Sequence, residues 1–341
     1  MDVSPRRQSA PLSGARSHDC TGYYRHRPSR GAVATLVFAR LIERRHPPQG
    51  RFIEVHGLRR HVVELGPTGD TSSVPVVLLH GAGANLKDME LAVAERLAAR
   101  QRVILIDRPG FGFSARKKGG ENSPTEQAII LDELFNRLGI DRAIIVGHSW
   151  GGTLALTFAL DYPQRVAGLV LIAPPTHPRL RGFGRYNAIF ATPLGWLFAH
   201  TLALPLGALL IELGIRAAFL PQSTPFAYSK RSAAWLILRP RSLMANWAEI
   251  GVLDPFLRKQ IDRYSALRAP TIVLNGDCDP LVPPQDHAAK VAELAPVAKV
   301  EVLKGFGHML HHAAADRIAA AVEELVQGLE AVGEGARAPA D

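Results

Sequence analysis

The hexapeptide Gly147-His148-Ser149-Trp150-Gly151-Gly152 is the segment of this chain best suited to covalent chemistry. It follows the apolar run AIIV and opens TLALTFAL. The serine therefore falls on a strand-to-helix turn, where a glycine two residues to either side removes bulk that would collide across so sharp a bend. The start of the helix adds unsatisfied N–H groups and a positive dipole end. A serine hydroxyl at its ordinary pKa is a poor nucleophile, so it needs a base, and the base needs an orienting partner. His308, in Gly305-Phe306-Gly307-His308 after the run KVEVLK, is the expected general base. The stretch NGDCDPLVP (275–283) offers two carboxylates to orient it. Asp279, further from the strand and fixed by Pro280, is preferred, while Asp277 next to Gly276 reads as a turn-former. Two backbone amides are the expected oxyanion donors: Trp150, directly after the serine, and Ala82 in His80-Gly81-Ala82-Gly83. His80, at a strand end, is expected to shape that turn. His311 and His312 are expected on the surface of the next helix, because a metal cluster would need acidic or cysteine partners that are not at hand.

These residues need a scaffold that brings distant loops to one edge. Runs rich in β-formers recur at 51–55, 60–65, 74–80, 102–107, 143–148, 168–173, 271–276 and 299–304. The first two alternate around His56-Gly57 as a half-exposed hairpin should, and the later ones are continuously apolar, as strands covered on both faces must be. Helical stretches lie between them at 87–99, 124–138, 151–160, 284–294 and 316–329; Ser123 and Glu126 form a capping-box pair before the second. The expectation is an α/β fold: a mostly parallel, eight-stranded, doubly wound sheet with its reactive groups beyond the carboxyl ends of the strands.

About a hundred residues separate the strand ending at Ala173 from the one beginning at Thr271. They are rich in Leu, Ala, Phe and Trp and broken by Pro193, Pro205, Pro221, Pro225 and Pro240, which predicts an inserted cap of short helices. Residues 188–211 carry no formal charge over a membrane-spanning length. Pro193, Gly195, His200, Pro205 and Gly207 argue instead for an apolar lid over a pocket, with Trp196, Phe198, Phe219, Trp235 and Trp247 as candidate walls. The expected organisation is a disordered, basic appendage with a short apolar helix at 1–45, a core at 46–175 and 265–331, a cap at 176–264 and a disordered tail at 332–341.

The net charge of +9 on 341 residues invites a polyanionic partner. Residues 1–60, however, hold twelve Arg against four acidic residues, which puts +8 on the lead-in and leaves +1 for the rest. Basic and aromatic residues do not interleave, so no nucleic-acid partner is expected. The short apolar stretch at 31–42 predicts a helix that docks on the body or touches a membrane surface, and peripheral membrane contact through this segment or the cap is the expected partner besides a small hydrophobic substrate. Cys20 and Cys278 form no disulfide framework, so a reducing, cytoplasmic setting is expected.

Over roughly residues 50–330 the chain resembles the α/β-hydrolase family, in its cap-bearing serine hydrolase branch. The resemblance is carried, in the family's order, by HGAG (80–83), DRPGFGFS (107–114), GHSWGG (147–152), GDCDPLVP (276–283) and GFGH (305–308). It implies a Ser149–His308–Asp279 triad, an oxyanion hole at Ala82 and Trp150, and acyl transfer to water with no metal or organic cofactor. Two departures stand out. Ala313 occupies a place where the family often has Glu, and the nucleophile is Ser where the haloalkane dehalogenase and epoxide hydrolase relatives carry Asp. The expected activity is hydrolysis of a carboxylic ester of a hydrophobic small molecule. The alternatives are a C–C bond hydrolase of diketone-type ring-cleavage products and a non-catalytic, membrane-attached binding protein.

Overall fold

The computed structural model describes residues 30–67, 74–178 and 192–335. The disorder expected over 1–29 and 336–341, and the part of the cap at 179–191, lie outside the described residues. Eight strands form one sheet in the order β1-β2-β4-β3-β5-β6-β7-β8. β1 (Arg51–Val55) and β2 (Leu58–Leu65) form the antiparallel hairpin, turning at His56 and Gly57 with φ of 51° and 72°. Positive φ at both positions is what a two-residue hairpin loop needs. β2 runs antiparallel to β4 (Val103–Ile106), and every later pairing is parallel.

The central strands β3 (Val76–Leu79), β4, β5 (Ala143–His148) and β6 (Val166–Ile172) are buried along their whole length, which accounts for their unbroken apolar sequence. One face packs against α3 (Pro124–Leu138) and α4 (Trp150–Asp161) through Leu134, Phe135, Leu154 and Phe158. The other packs against α2 and against α11 (Ala315–Gly335), which follows the single turn α10 (Leu310–Ala313). α2 begins at Leu86–Met89 and continues through a wide turn, Glu90–Ala94, into Glu95–Ala98. Ser123 and Glu126 form the capping box at the start of α3, with Pro124 in the first turn, where a missing N–H costs no hydrogen bond.

The cap enters between β6 and β7 (Thr271–Gly276). Its described helices are α5 (Pro193–Thr201), α6 (Ala203–Phe219), α7 (Tyr228–Arg231) and α8 (Pro240–Gln260). Pro193, Pro205 and Pro240 fall in first turns, so they start helices without breaking one. α5 and α6 meet at a 74° bend, and among the described residues no single helix is long and apolar enough to cross a membrane. The cap is fastened to the core by a buried ion pair, Arg108 to Glu249 at 2.7 Å, and by Asn85 donating to the Ser232 carbonyl at 2.9 Å.

Three boundaries differ from expectation. The helix expected at 31–42 is longer: α1 spans Arg30–Arg45 and packs on α5, α6 and the 3-10 turn Ala234–Leu238, held by Glu43 against Arg239 and Arg241. The tail is helical as far as Gly335, because α11 extends beyond residue 331. The helix before β8 (Ala298–Leu303) is only α9 (Ala288–Leu294), since Pro283 and Pro284 open a turn whose carbonyls are taken by Asp286, His287 and Ala289.

Candidate active site

The sheet order sets the site. β3 and β5 are adjacent and parallel with Leu79 opposite Gly147, so HGAG and the serine turn leave the sheet side by side. β7 and β8 are likewise paired, with Gly276 opposite Leu303, and deliver Asp279 and His308 from neighbouring loops.

Ser149 joins β5 to α4 with φ 51° and ψ −123°, a strained conformation for a non-glycine residue. Its N–H donates to the Ile172 carbonyl at 2.8 Å, which pins the turn to β6. A Cβ at Gly147 would strike the Gly151 carbonyl, and one at Gly151 would strike the carbonyls of Leu79 and His80. Close backbone approach thus explains both glycines. Trp150 is the first residue of α4, so its N–H has no intrahelical acceptor.

His308 Nε2 lies 3.1 Å from Ser149 Oγ, and His308 Nδ1 lies 2.8 Å from Asp279 Oδ2. A carboxylate only accepts, so the proton resides on Nδ1 and the Nε2 lone pair faces the serine hydroxyl. Asp279 Oδ1 accepts from the N–H groups of Leu281 and Val282, each at 2.9 Å, which fixes the carboxylate plane. All three side chains are buried. Asp277 is exposed and accepts from the Gly305 N–H at 2.7 Å; hydrogen bonds from the Cys278 thiol and that N–H hold its carboxyl below the usual range.

The loop carrying Ala82 is set from behind by Arg108. Its Nε donates to the His80 carbonyl at 2.9 Å and its Nη2 to the Gly81 carbonyl at 3.0 Å, while the guanidinium stacks 4.2 Å from the Trp150 ring. In a trans peptide the N–H points opposite the C=O. With the Gly81 carbonyl drawn toward Arg108, the Ala82 N–H faces away, and Ala82 lines the cavity beside Ser149. His80 has the structural role expected: Nδ1 donates to the Gly81 carbonyl at 2.8 Å and Nε2 accepts the Arg108 N–H at 3.0 Å. Burial and the neighbouring Arg108 push its pKa down to about 3, so it stays neutral.

The surface expectation for His311 and His312 is overturned. His311 is fully buried, His312 nearly so, and both donate from Nε2 to Asp88, at 2.9 and 2.8 Å. The Tyr228 hydroxyl from the cap donates to the same carboxylate at 2.7 Å. The acidic partner exists, but it sits on α2, more than 220 residues away in sequence, where no local pattern reveals it. Burial opposes charge on Asp88, yet the histidines beside it hold its carboxyl well below the ordinary value; burial pushes His311 down to about 4. Asp88, His148 and His311 bring possible ligand atoms within 4.8 Å of one another. Because Asp88 already accepts three hydrogen bonds, the group reads as an anchor rather than as a cation site. His148 completes it, donating from Nε2 to the His308 carbonyl at 3.1 Å.

Above Ser149 is a cavity of about 450 Å³. Its cap-side walls are mostly aliphatic, with Ile211, Ile215, Ala218, Ile237, Ile250 and Leu253 beside Tyr228, Ser232 and Asn246. Of the five aromatic residues expected there, only Phe219 lines it. Trp196 is 55% exposed on the outside of α5, while Phe198, Trp235 and Trp247 are half-buried away from the cavity lining. The inward stripe of α6 is built of smaller residues, which leaves room for a substrate.

The sequence model of the alpha/beta hydrolase fold matches residues 74–315. The chain belongs to the α/β-hydrolase fold family. The 2-hydroxymuconate semialdehyde hydrolase of Pseudomonas putida is 30% identical over 297 residues, covering 84% of this chain and 97% of that protein. A shorter stretch of 123 residues is 39% identical to the abhydrolase domain-containing protein abhd-5.2 of Caenorhabditis elegans, but spans only 35% of this chain and 26% of that one. Among solved structures, a thermophilic esterase from Thermogutta terrifontis superposes with a TM-score of 0.66 at 24% identity, over 82% of this chain and 99% of the esterase. That likeness is one of fold. This α/β hydrolase therefore has a relative named for the hydrolysis of 2-hydroxymuconate semialdehyde and a structural neighbour named as an esterase.

Proposed function

We propose that this α/β hydrolase is a serine esterase that cleaves carboxylic esters of neutral, hydrophobic small molecules. Ser149 Oγ attacks the ester carbonyl as His308 Nε2 takes its proton. Asp279 holds the imidazole by Nδ1 and stabilises the imidazolium. The amides of Ala82 and Trp150 donate to the oxyanion. His308 then returns the proton to the departing alkoxide, leaving the acyl group on Ser149. In the second half His308 draws a proton from water, the hydroxide attacks the acyl carbon, and the carboxylic acid leaves as the proton passes back to Ser149 Oγ.

One observation carries the choice of substrate: the described cavity lining contains no Lys or Arg, and its one carboxylate is Asp88. An anionic substrate would enter an apolar site without a counter-ion, which costs several kcal/mol (on the order of 2–7 for a polar group alone). The P. putida relative is named for 2-hydroxymuconate semialdehyde, and a muconate is an anion. The observation supports a neutral ester over such a ring-cleavage product. The test is a panel of p-nitrophenyl esters from acetate to decanoate beside a 2-hydroxy-6-oxo-dienoate, assayed with wild type and Ser149→Ala. The expected outcome is ester turnover that rises with acyl length and is lost by at least about 10³-fold in the variant. Preferential cleavage of the dienoate would transfer the assignment to C–C hydrolysis.

A further inference from the structure

α6 is apolar on both sides. Its inward stripe, Ile211, Ile215 and Ala218, lines the cavity over Ser149, while its outward stripe, Leu206, Leu209 and Leu213, faces solvent. Leu209 is 80% and Leu213 66% exposed, so this stripe is not core. The pattern continues across neighbouring helices. α1 packs beside α5 and α6 and exposes Val33, Leu36, Val37, Phe38 and Leu41 at helical spacing. α5 exposes Leu194, Trp196 and Leu197. Of the nineteen exposed large apolar side chains among the described residues, thirteen lie on α1, α5, α6 and the α5–α6 junction. That concentration exceeds the scatter expected of an ordinary soluble surface.

The charge pattern identifies the occupant. From Thr192 to Ile211 the layer carries no formal charge. Its α1 margin is basic, with Arg40, Arg44 and Arg45 exposed, and the far part of α6 carries one exposed charge of each sign, Glu212 and Arg216. By sequence, residues 1–29 before α1 hold five Arg and two Asp, and 179–191 before α5 hold three Arg and no acidic residue. An apolar plane rimmed by arginine complements an anionic lipid surface, where chains and headgroups are met together. A second protein copy would present the same arginines to one another.

We propose that the outer face of α1, α5 and α6 seats the protein on an anionic bilayer, so that the Ser149 cavity, one helix thickness away, draws lipid-dissolved esters; the substrate part rests on the esterase reading above. The binding test is co-sedimentation of the full chain with phosphatidylcholine vesicles and with 7:3 phosphatidylcholine/phosphatidylglycerol vesicles. Wild type, Leu209→Glu/Leu213→Glu and Arg40→Glu/Arg44→Glu are compared, with p-nitrophenyl butyrate turnover in vesicle-free buffer as the check on folding and site. Wild type is expected to pellet at least tenfold more tightly with the anionic vesicles, and less so in high salt. Both double variants are expected to lose at least tenfold in vesicle affinity while butyrate turnover stays within twofold. Wild type that stays in the supernatant, or variants that pellet like it, would overturn the proposal, as would a dimer that Leu209→Glu/Leu213→Glu splits without any vesicle binding. Vesicle binding without butyrate turnover would leave the surface standing and remove the esterase reading.

Discussion

Asp277 and Asp279 differ by two positions along the loop after β7 and by nearly everything that governs a carboxylate's influence on His308. Asp279 is buried, 2.8 Å from Nδ1, and oriented by two backbone N–H groups. Asp277 is exposed and spends its hydrogen bonds on the turn at Gly305. In water its field is screened, whereas on the proposed mechanism the buried carboxylate acts at low dielectric on the imidazolium formed during attack. Asp279→Asn is therefore expected to lower kcat for a short p-nitrophenyl ester by about 10³–10⁴-fold, largely through the wrong imidazole tautomer. Asp277→Asn should change it by less than about threefold, as surface substitutions do. Steady-state kinetics of the two variants reads this directly, and the reverse ranking would move the orienting role to Asp277.

The loop that carries His308 is an element held from three sides. His148 binds the His308 carbonyl, Gln222 of the cap accepts from the Gly307 N–H at 2.9 Å, and His311 and His312 close on Asp88. Asp88→Ala strands three donors, Tyr228 Oη and the two imidazoles, in a buried space. Leaving donors unsatisfied predicts a loss of about 2–4 kcal/mol in urea unfolding, together with a lower kcat as the base loop loosens. A loss under about 1 kcal/mol would show that the anchor contributes little. The same element marks where legibility in the sequence ends. The strands, the serine turn and the loops after β7 and β8 were readable because each follows from local periodicity and turn chemistry. The pairing of Asp88 with His311 and His312, and of Arg108 with Glu249, depends on how α2, α8 and the last loop dock, and docking leaves no local signature. Of the five cap aromatics expected as walls, four lie away from the cavity and only Phe219 lines it, for a related reason: composition does not tell which stripe of a helix faces inward.

At the scale of the molecule, the positive charge lies on and around the helix that joins the cap, not in the cavity that holds Ser149. Stability follows from the interior instead. Burial pushes His80 down to about 3 and both His287 and His311 down to about 4, against an ordinary value of 6.5. The unfolded chain therefore binds these protons first as pH falls, and stability present above about pH 6.5 is lost progressively between there and about pH 4. Urea midpoints should fall steeply from pH 7 to 4.5; a flat profile would mean that these histidines are protonated in the folded state. On the proposed mechanism the whole architecture, two adjacent strand pairs under an apolar cap, serves one activated hydroxyl, and the most direct test is covalent labelling of the folded protein with a fluorophosphonate, followed by peptide mapping. The account predicts a single phosphonylated residue, Ser149, with the labelling rate falling by at least about 10³-fold in His308→Ala. An unmodified Ser149 in folded wild type, or equal labelling in the variant, would contradict it.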